Sequence, residues 1–201
     1  DVEFISAADA WARRIDSPTM VNSAGTYSPK DRTIHIRLQD DEPTNFLILR
    51  HEITHALMHE RVGRLPTAIN EGIAGYFEHL AVSGMGAQVT IADSPRSLRA
   101  ARIEGDGHAE LADLLAFEGA DFYAGDQQQR YLRAYALVAM LMDTAPGRVA
   151  LSAVLAAQRA QPCLPVKAEL VLDSRYPGGL AVLARDWVAW LGNPPRSVRS
   201  W

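Results

Sequence analysis

The apolar and polar positions of the chain predict a short α/β segment followed by a longer helical one. Residues 33–38 alternate apolar and polar side chains over six positions, which is the pattern of a half-buried strand. Turn residues at positions 27–31 precede that strand. Residues 2–5 predict a shorter strand, and the residues that follow predict a helix to about Ile15. This order of elements is typical of a small sheet with helices beside it.

Helical spacing of apolar residues dominates the rest of the chain. One helix is predicted from Asn45 to about Val62, with Pro43 near its start, and a second from about Thr67 to Val82. Beyond residue 84 the pattern predicts no further strand, only helices, at about residues 98–103, 109–117, 127–144, 148–159 and 180–191. We therefore predict an α+β fold in which a small N-terminal mixed sheet precedes a mostly α-helical C-terminal lobe.

No internal repeat and no linker rich in Pro, Gly or Ser separates independent domains. We predict one catalytic unit over residues 1–201, with an α/β part over about residues 1–84 and a helical part over about residues 85–201. A cleft between the two parts is the expected place for an active site.

Composition excludes several classes of function. Hydrophobic residues make up 48% of the 201 residues and charged residues 22%, as in ordinary globular proteins. The net charge of -4 and the lack of a basic cluster predict no nucleic-acid partner. The longest apolar run, Tyr135 to Met142, is shorter than the roughly 20 residues that cross a bilayer, so we expect no membrane span.

The compartment and the redox state of the chain stay open. The sequence begins at Asp1 without an initiator Met or a visible signal, which fits either a processed mature form or a trimmed piece. Cys163 is the only cysteine, so these residues form no internal disulfide and no thiolate metal cluster. Localisation is therefore not predicted.

Residues 51–55 read His-Glu-Ile-Thr-His, an H-E-x-x-H motif inside the first central helix. Because His51 and His55 are four residues apart, they lie on one face of the helix, and both imidazoles can reach one ion. Glu52 flanks that face, where its carboxylate can take a proton from water. A short motif also arises by chance, and two histidines bonded to neighbouring groups are the structural alternative, so the metal site needs a third ligand.

The second central helix carries an acidic residue that a helical hairpin can bring back to the histidines. Asn70-Glu71-Gly72, with Ala74 two residues further and Tyr-Phe-Glu at 76–78, follows the H-E-x-x-H motif at a short distance. In this combination the sequence resembles the gluzincin zinc peptidases of the peptidase MA-like family. The resemblance covers about residues 25–145 and is densest in three short blocks.

The resemblance implies a thermolysin-like arrangement with one zinc ion per chain. His51, His55 and Glu71 would hold the zinc, and Glu52 would be the general base acting on a metal-activated water. A third block, from Tyr131 to Leu141, is similar to a gluzincin helix that opens with a tyrosine. That tyrosine supplies its hydroxyl to the oxyanion in the family, so Tyr131 is our candidate.

Four alternatives to these assignments have to be considered. Metzincins would require Gly and His at positions 58 and 61, where this chain has Met58 and Arg61, so a three-histidine site of that type is disfavoured. His59 lies one turn after the second histidine of the motif and could compete as a ligand. Tyr135 lies one turn after the first tyrosine of the third block and is its rival as oxyanion donor. Both tyrosines could also be core aromatics of an amphipathic helix.

The resemblance further suggests how a substrate would bind. The strand at residues 33–38 is similar to the family's edge strand, which pairs with an extended peptide. Gluzincin aminopeptidases carry a G-x-M-x-N segment that binds the free amino terminus, and nothing from Gly25 to Arg50 matches it. We therefore expect a peptide or protein substrate that is cut internally. A non-catalytic interaction module of the same fold and a zinc hydrolase of non-peptide amides or esters are the alternatives.

Overall fold

Extended segments at the N-terminus form a three-stranded sheet beside one short helix. The computed structural model describes residues 1–6, 8–15, 23–84, 86–91, 98, 103, 105–194 and 198–201. In the first sheet, β3 (Thr33–Arg37) pairs in parallel with β1 (Val2–Ile5) and antiparallel with β2 (Gly25–Ser28). Helix α1 (Ala8–Arg14) follows β1. The fold class α+β and the mixed N-terminal sheet are confirmed.

The position of β3 within the sheet differs from the sequence-based expectation. Because the strand order is β1-β3-β2, both edges of β3 are already paired, and this strand cannot add a substrate peptide. The expectation that residues 33–38 form the edge strand is wrong. The strand was predicted from its alternation, which is a local pattern and carries no information on strand order. The strand that faces the cleft is β2 instead.

Helix α2 (Glu42–Arg61) begins after a side-chain cap and ends just before a glycine. The Asp41 carboxylate accepts a hydrogen bond from the backbone N–H of Thr44 at 3.0 Å, which caps the first turn. The last turn ends before Gly63, whose φ of 103° suits glycine alone among common residues. The predicted helix is confirmed, with a start three residues earlier.

The second central helix is shorter than predicted. Helix α3 spans Thr67–Glu78, and the residues after it turn into β4 (Leu80–Ser83). Strand β4 pairs antiparallel with β5 (Gly86–Thr90), and β5 pairs antiparallel with β6 (Val198–Ser200). The prediction of a helix to Val82 and of no strand after residue 84 is therefore wrong. Strand β4 forms a hairpin with β5, and β5 is paired on its other edge with the distant C-terminal strand, which helical spacing of apolar residues does not reveal.

Helices make up most of the remaining described chain. They are α4 (Gly107–Ala116), α5 (Ala120–Tyr123), α6 (Gln127–Asp143), α7 (Ala145–Ala160), α8 (Ala168–Arg175) and α9 (Gly179–Gly192). Four of the five predicted helices are confirmed within a few residues at each end. The predicted helix at 98–103 falls mostly outside the described residues, and α5 and α8 were not predicted because each is short.

The main hydrophobic core lies between α3 and these later helices. Its buried side chains run from Val62 to Leu191, and α6 contributes an uninterrupted buried run from Ala134 to Leu141. Among the described helices none is by itself long and apolar enough to cross a membrane. Helices α6 and α7 reach that length and composition only as a pair bent by 114°.

Close packing of α3 on α6 requires the glycine of the Asn-Glu-Gly sequence. A β-carbon on Gly72 would lie 2.6 Å from Cγ2 of Val138 and would also meet the carbonyl of Ala134. The two helix backbones therefore approach so closely at Gly72 that no side chain larger than hydrogen fits between them. This contact fixes Glu71, the neighbouring residue on α3, relative to α6.

The first turn of α3 is capped by a side chain from elsewhere in the chain. The residue before the helix is Pro66, which supplies no side-chain cap. The Glu118 carboxylate instead accepts hydrogen bonds from the backbone N–H of Thr67 at 3.3 Å and from its hydroxyl at 2.9 Å. The Thr67 hydroxyl accepts in turn from the backbone N–H of Gly119 at 3.0 Å. A negative charge at this end also suits the helix dipole.

We predict that Glu118→Ala lowers the free energy of unfolding by about 1–2 kcal/mol, because it removes the cap from α3 and leaves Thr67 without its acceptor. Urea denaturation measures the change. The matched control is Asp113→Ala, an exposed carboxylate on α4 that should change stability by less than about 0.5 kcal/mol. Equal stability of the two variants would contradict a capping role for Glu118.

Candidate metal centre

Helix α2 brings the two histidines of the motif together on its inner face. The Nε2 atoms of His51 and His55 are 3.0 Å apart, and the side chain of each is 13% exposed. Their rings meet edge to face, with centroids 4.6 Å apart. This arrangement follows from their spacing of four residues on a helix.

Helix α3 adds the carboxylate of Glu71 to this pair. Its Oε2 atom lies 3.3 Å from Nε2 of His51 and 3.4 Å from Nε2 of His55, and the residue is 3% exposed. Oε2 has no hydrogen-bond partner among the described residues other than these two close nitrogens. His51, His55 and Glu71 are the group of side chains in the described chain that could hold a metal ion.

The spacing of these three atoms fits zinc. Zinc binds His nitrogen and carboxylate oxygen at about 2.0–2.2 Å in tetrahedral geometry, which places any two ligand atoms roughly 3.3–3.5 Å apart. The observed separations of 3.0, 3.3 and 3.4 Å are close to this value. Three ligands also leave the fourth position of a tetrahedral ion open, as in catalytic sites.

The buried charges at the site call for a compensating cation. Burial opposes protonation of His51, but the carboxylates of Glu71 and Glu78 outweigh it and raise the pKa of His51 to about 10. Burial would raise the pKa of Glu71, yet the two histidines hold that pKa far below its usual range. The cluster therefore holds a proton near neutral pH, and a divalent ion would displace it and supply the positive charge in its place.

A second carboxylate orients the first histidine. Oε1 of Glu78 lies 2.5 Å from Nδ1 of His51, on the opposite side of the ring from the metal face. A carboxylate at this nitrogen fixes the tautomer that leaves Nε2 free for a metal. Glu78 ends α3, seven residues after Glu71, so both carboxylates project from the same face of that helix.

Glu52 lies between α2 and the edge strand β2. It is 6% exposed, and its carboxylate accepts a hydrogen bond from the backbone N–H of Tyr27. A β-carbon on Gly25 would lie 2.9 Å from Oε1 of Glu52, so glycine is required where the strand passes over this side chain. Burial raises the pKa of Glu52, which suits a group that accepts a proton near neutral pH.

The two candidate tyrosines of α6 face different surroundings. The ring of Tyr131 lies 6.4 Å from the ring of His51, and Tyr131 lines the cleft. Burial and the nearby Glu71 carboxylate raise the pKa of its hydroxyl, while an interaction with the Gln127 side chain opposes the rise. Tyr135 packs instead beside His79, with ring centroids 6.1 Å apart. Of the two tyrosines, Tyr131 is the one that lies beside a histidine of the H-E-x-x-H motif.

The cleft at the site is lined from both parts of the chain. Its volume is about 200 Å³, and β2, α2, α3 and the residues around Tyr123 and Tyr131 contribute to its walls. His59 lies at the rim, where its Nδ1 atom is 3.4 Å from the hydroxyl of Tyr27. His59 is outside the cluster of converging ligand atoms, so the alternative in which it replaces Glu71 has no support from the geometry.

One residue of the site was not predicted from the sequence. The Tyr123 hydroxyl donates a hydrogen bond to Oε1 of Glu71 at 2.6 Å. Tyr123 follows a Gly-Ala-Asp-Phe segment in no recognisable motif, and the short helix α5 that presents it was not predicted. Only the position of α5 against α3 reveals the contact.

No protein-family model matches this chain, and no curated protein matches it.

We predict that the protein binds one zinc ion per chain and that Glu71→Ala and His55→Ala no longer retain zinc through gel filtration, because each loses one of three ligands. Elemental analysis after reconstitution measures the content. His59→Ala is the matched control, a histidine of the same cleft outside the ligand cluster, and should retain one zinc. Full zinc content in Glu71→Ala would contradict this ligand set.

Proposed function

We propose that this chain is a zinc-dependent peptidase of the gluzincin type. The observation that carries the proposal is the convergence of Nε2 of His51, Nε2 of His55 and Oε2 of Glu71, with the buried Glu52 beside them in an open cleft. A structural pair of bonded histidines would need neither the buried carboxylate of Glu71 nor an unpartnered oxygen facing both rings.

Glu52 is the proposed general base. Zinc held by the triad would polarise the scissile carbonyl and make water acidic enough to be deprotonated near pH 7. The Glu52 carboxylate accepts the proton of the attacking water, and the protonated side chain then donates it to the nitrogen of the leaving amine. The Tyr27 N–H holds the carboxylate in place, so that the acceptor is oriented before a substrate binds.

Tyr131 is the proposed donor to the developing oxyanion. It lines the cleft beside His51, and its hydroxyl stays protonated at neutral pH because burial and the Glu71 carboxylate raise its pKa. A protonated phenol can donate a hydrogen bond to the carbonyl oxygen as negative charge builds up on it.

The substrate is proposed to be an extended polypeptide cut at an internal bond. Strand β2 borders the cleft with Gly25, Thr26 and Tyr27, and among the described strands it pairs only with β3. Its second edge can therefore bind an extended backbone. The lack of a sequence matching the amine-binding segment of gluzincin aminopeptidases favours internal cleavage.

We predict that the zinc-loaded protein cleaves peptides blocked at both ends and that Glu52→Gln retains zinc but loses about 10²–10⁴-fold in turnover, because an amide cannot accept the proton of water. Fluorogenic blocked peptides measure cleavage at internal bonds, and aminoacyl reporters measure release of N-terminal residues. Glu60→Gln, an exposed acid on the same helix, is the matched control and should be as active as wild type.

Three results would contradict the proposed function. Near wild-type turnover of Glu52→Gln would place the base elsewhere, and cleavage of aminoacyl reporters without cleavage of blocked peptides would make the enzyme an aminopeptidase. Zinc binding without hydrolysis of any peptide, amide or ester in a substrate panel would favour a non-catalytic module.

We predict that Tyr131→Phe keeps zinc and melting temperature but loses about 10²–10³-fold in kcat with little change in KM, because an oxyanion donor acts chiefly in the transition state. Steady-state kinetics on a blocked peptide measure both constants. Tyr135→Phe is the control on the same helix. If the loss appears in Tyr135→Phe instead, the donor is one turn further on; if it appears in neither, the donor lies outside α6.

A further inference from the structure

A phenol hydroxyl is hydrogen-bonded to Glu71, the carboxylate among the three candidate metal ligands. Tyr123 donates to Oε1 of Glu71 at 2.6 Å, while Oε2 of the same carboxylate faces the two histidine nitrogens. The two oxygens therefore have different partners: one is held by a fixed donor, and the other is left for a metal. A carboxylate without such a donor could rotate or bind an ion through both oxygens.

We propose that Tyr123 is a positioning residue that selects Oε2 of Glu71 as the single metal-binding oxygen. This inference rests on the proposed zinc site, but it is independent of whether the protein hydrolyses peptides. Residues that hold metal ligands in place from outside the coordination sphere commonly contribute ten- to hundredfold to metal affinity. The Tyr123 bond is of this kind, because the phenol touches a ligand and acts on the metal only through it.

The segment that presents Tyr123 is anchored on both sides. On one side Glu118 binds the first turn of α3, the helix that carries Glu71. On the other side the guanidinium of Arg130, from the first turn of α6, donates to the backbone carbonyls of Asp121 and Phe122 and also to that of Ala124. The hydroxyl is thus held in place by the fold before any ion binds.

The phenol ring has a packed position of its own. The ring of Phe122, fully buried, lies 5.5 Å from that of Tyr123 and 5.6 Å from that of Tyr131, in edge-to-face contacts. These ring contacts do not involve the hydroxyl, so Tyr123→Phe should remove the donated bond while the ring keeps its position.

The test is the zinc affinity of Tyr123→Phe, measured by competition with a chromophoric chelator. We expect a ten- to hundredfold weaker affinity, with an apo protein that is folded by circular dichroism. Tyr176→Phe is the matched control, because the Tyr176 hydroxyl also donates to a carboxylate, that of Asp186, at 3.0 Å and away from the cleft. This control should keep the wild-type zinc affinity, whatever it does to stability.

Two further measurements separate positioning from a merely structural role. In the cobalt-substituted protein, Tyr123→Phe should weaken the visible absorption of a four-coordinate ion, since a freed carboxylate can bind through both oxygens. In a Glu71→Ala background, whose weaker zinc binding is followed by direct equilibrium titration, Tyr123→Phe should cause no additional loss of affinity, because the ligand through which it acts is gone. Additive losses would overturn the proposal.

A variant that keeps a hydrogen-bond donor at position 123 should restore zinc affinity. With 4-aminophenylalanine at position 123 the ring keeps a donor in the para position, so zinc affinity should return to within a few-fold of wild type. This variant also tests the proposal if Tyr123→Phe does not fold. Wild-type zinc affinity in Tyr123→Phe would overturn the inference, and so would failure of the amino variant to bind zinc more tightly than the phenylalanine variant. A loss of kcat at unchanged zinc affinity would instead make Tyr123 a catalytic donor.

Discussion

The burial of the Glu71 carboxylate between two imidazoles is the constraint on which the rest of the site depends. An isolated carboxylate that is 3% exposed would cost several kcal/mol through lost hydration, and here the two histidines and the Tyr123 hydroxyl offset that cost. The same three side chains, His51, His55 and Glu71, could hold a metal ion. Both histidines lie on α2, the carboxylate lies on α3 and the tyrosine lies on α5, so the positions of these three helices have to agree for the contacts to form.

Two close backbone contacts keep those elements in agreement. Gly72 lets α3 approach α6, and Gly25 lets β2 pass directly over Glu52. An alanine at either position would need neighbouring atoms to move, and at Gly25 these atoms belong to Ile48 and to Glu52, the proposed base. The small sheet and the helical part therefore meet through the functional groups themselves. This explains why the short strand β2, which contributes little to the hydrophobic core, affects the position of the groups in the cleft.

The sequence predicted the elements and residues that depend on local spacing. The H-E-x-x-H pattern on α2 and the acid early in α3 led to His51, His55 and Glu71, and the structure brings their atoms together. Features that depend on contacts between distant parts of the chain were either not predicted or predicted wrongly. The strand order that makes β2 the edge, the pairing of Gly86–Thr90 with Val198–Ser200, and the contact of Tyr123 with Glu71 are all set by tertiary packing, which no local pattern encodes.

The two phenols beside the site are not interchangeable. The Tyr123 hydroxyl donates a short bond to Glu71, and turning it toward a substrate would leave a buried carboxylate oxygen without its donor, at a cost of about 1–3 kcal/mol or more. That cost would fall on the proposed metal ligand during the proposed reaction. Tyr131, from the long and well-packed α6, lines the same cleft beside His51. A division of roles, with one phenol fixing the ligand and the other donating to the substrate, is therefore less costly than a shared one.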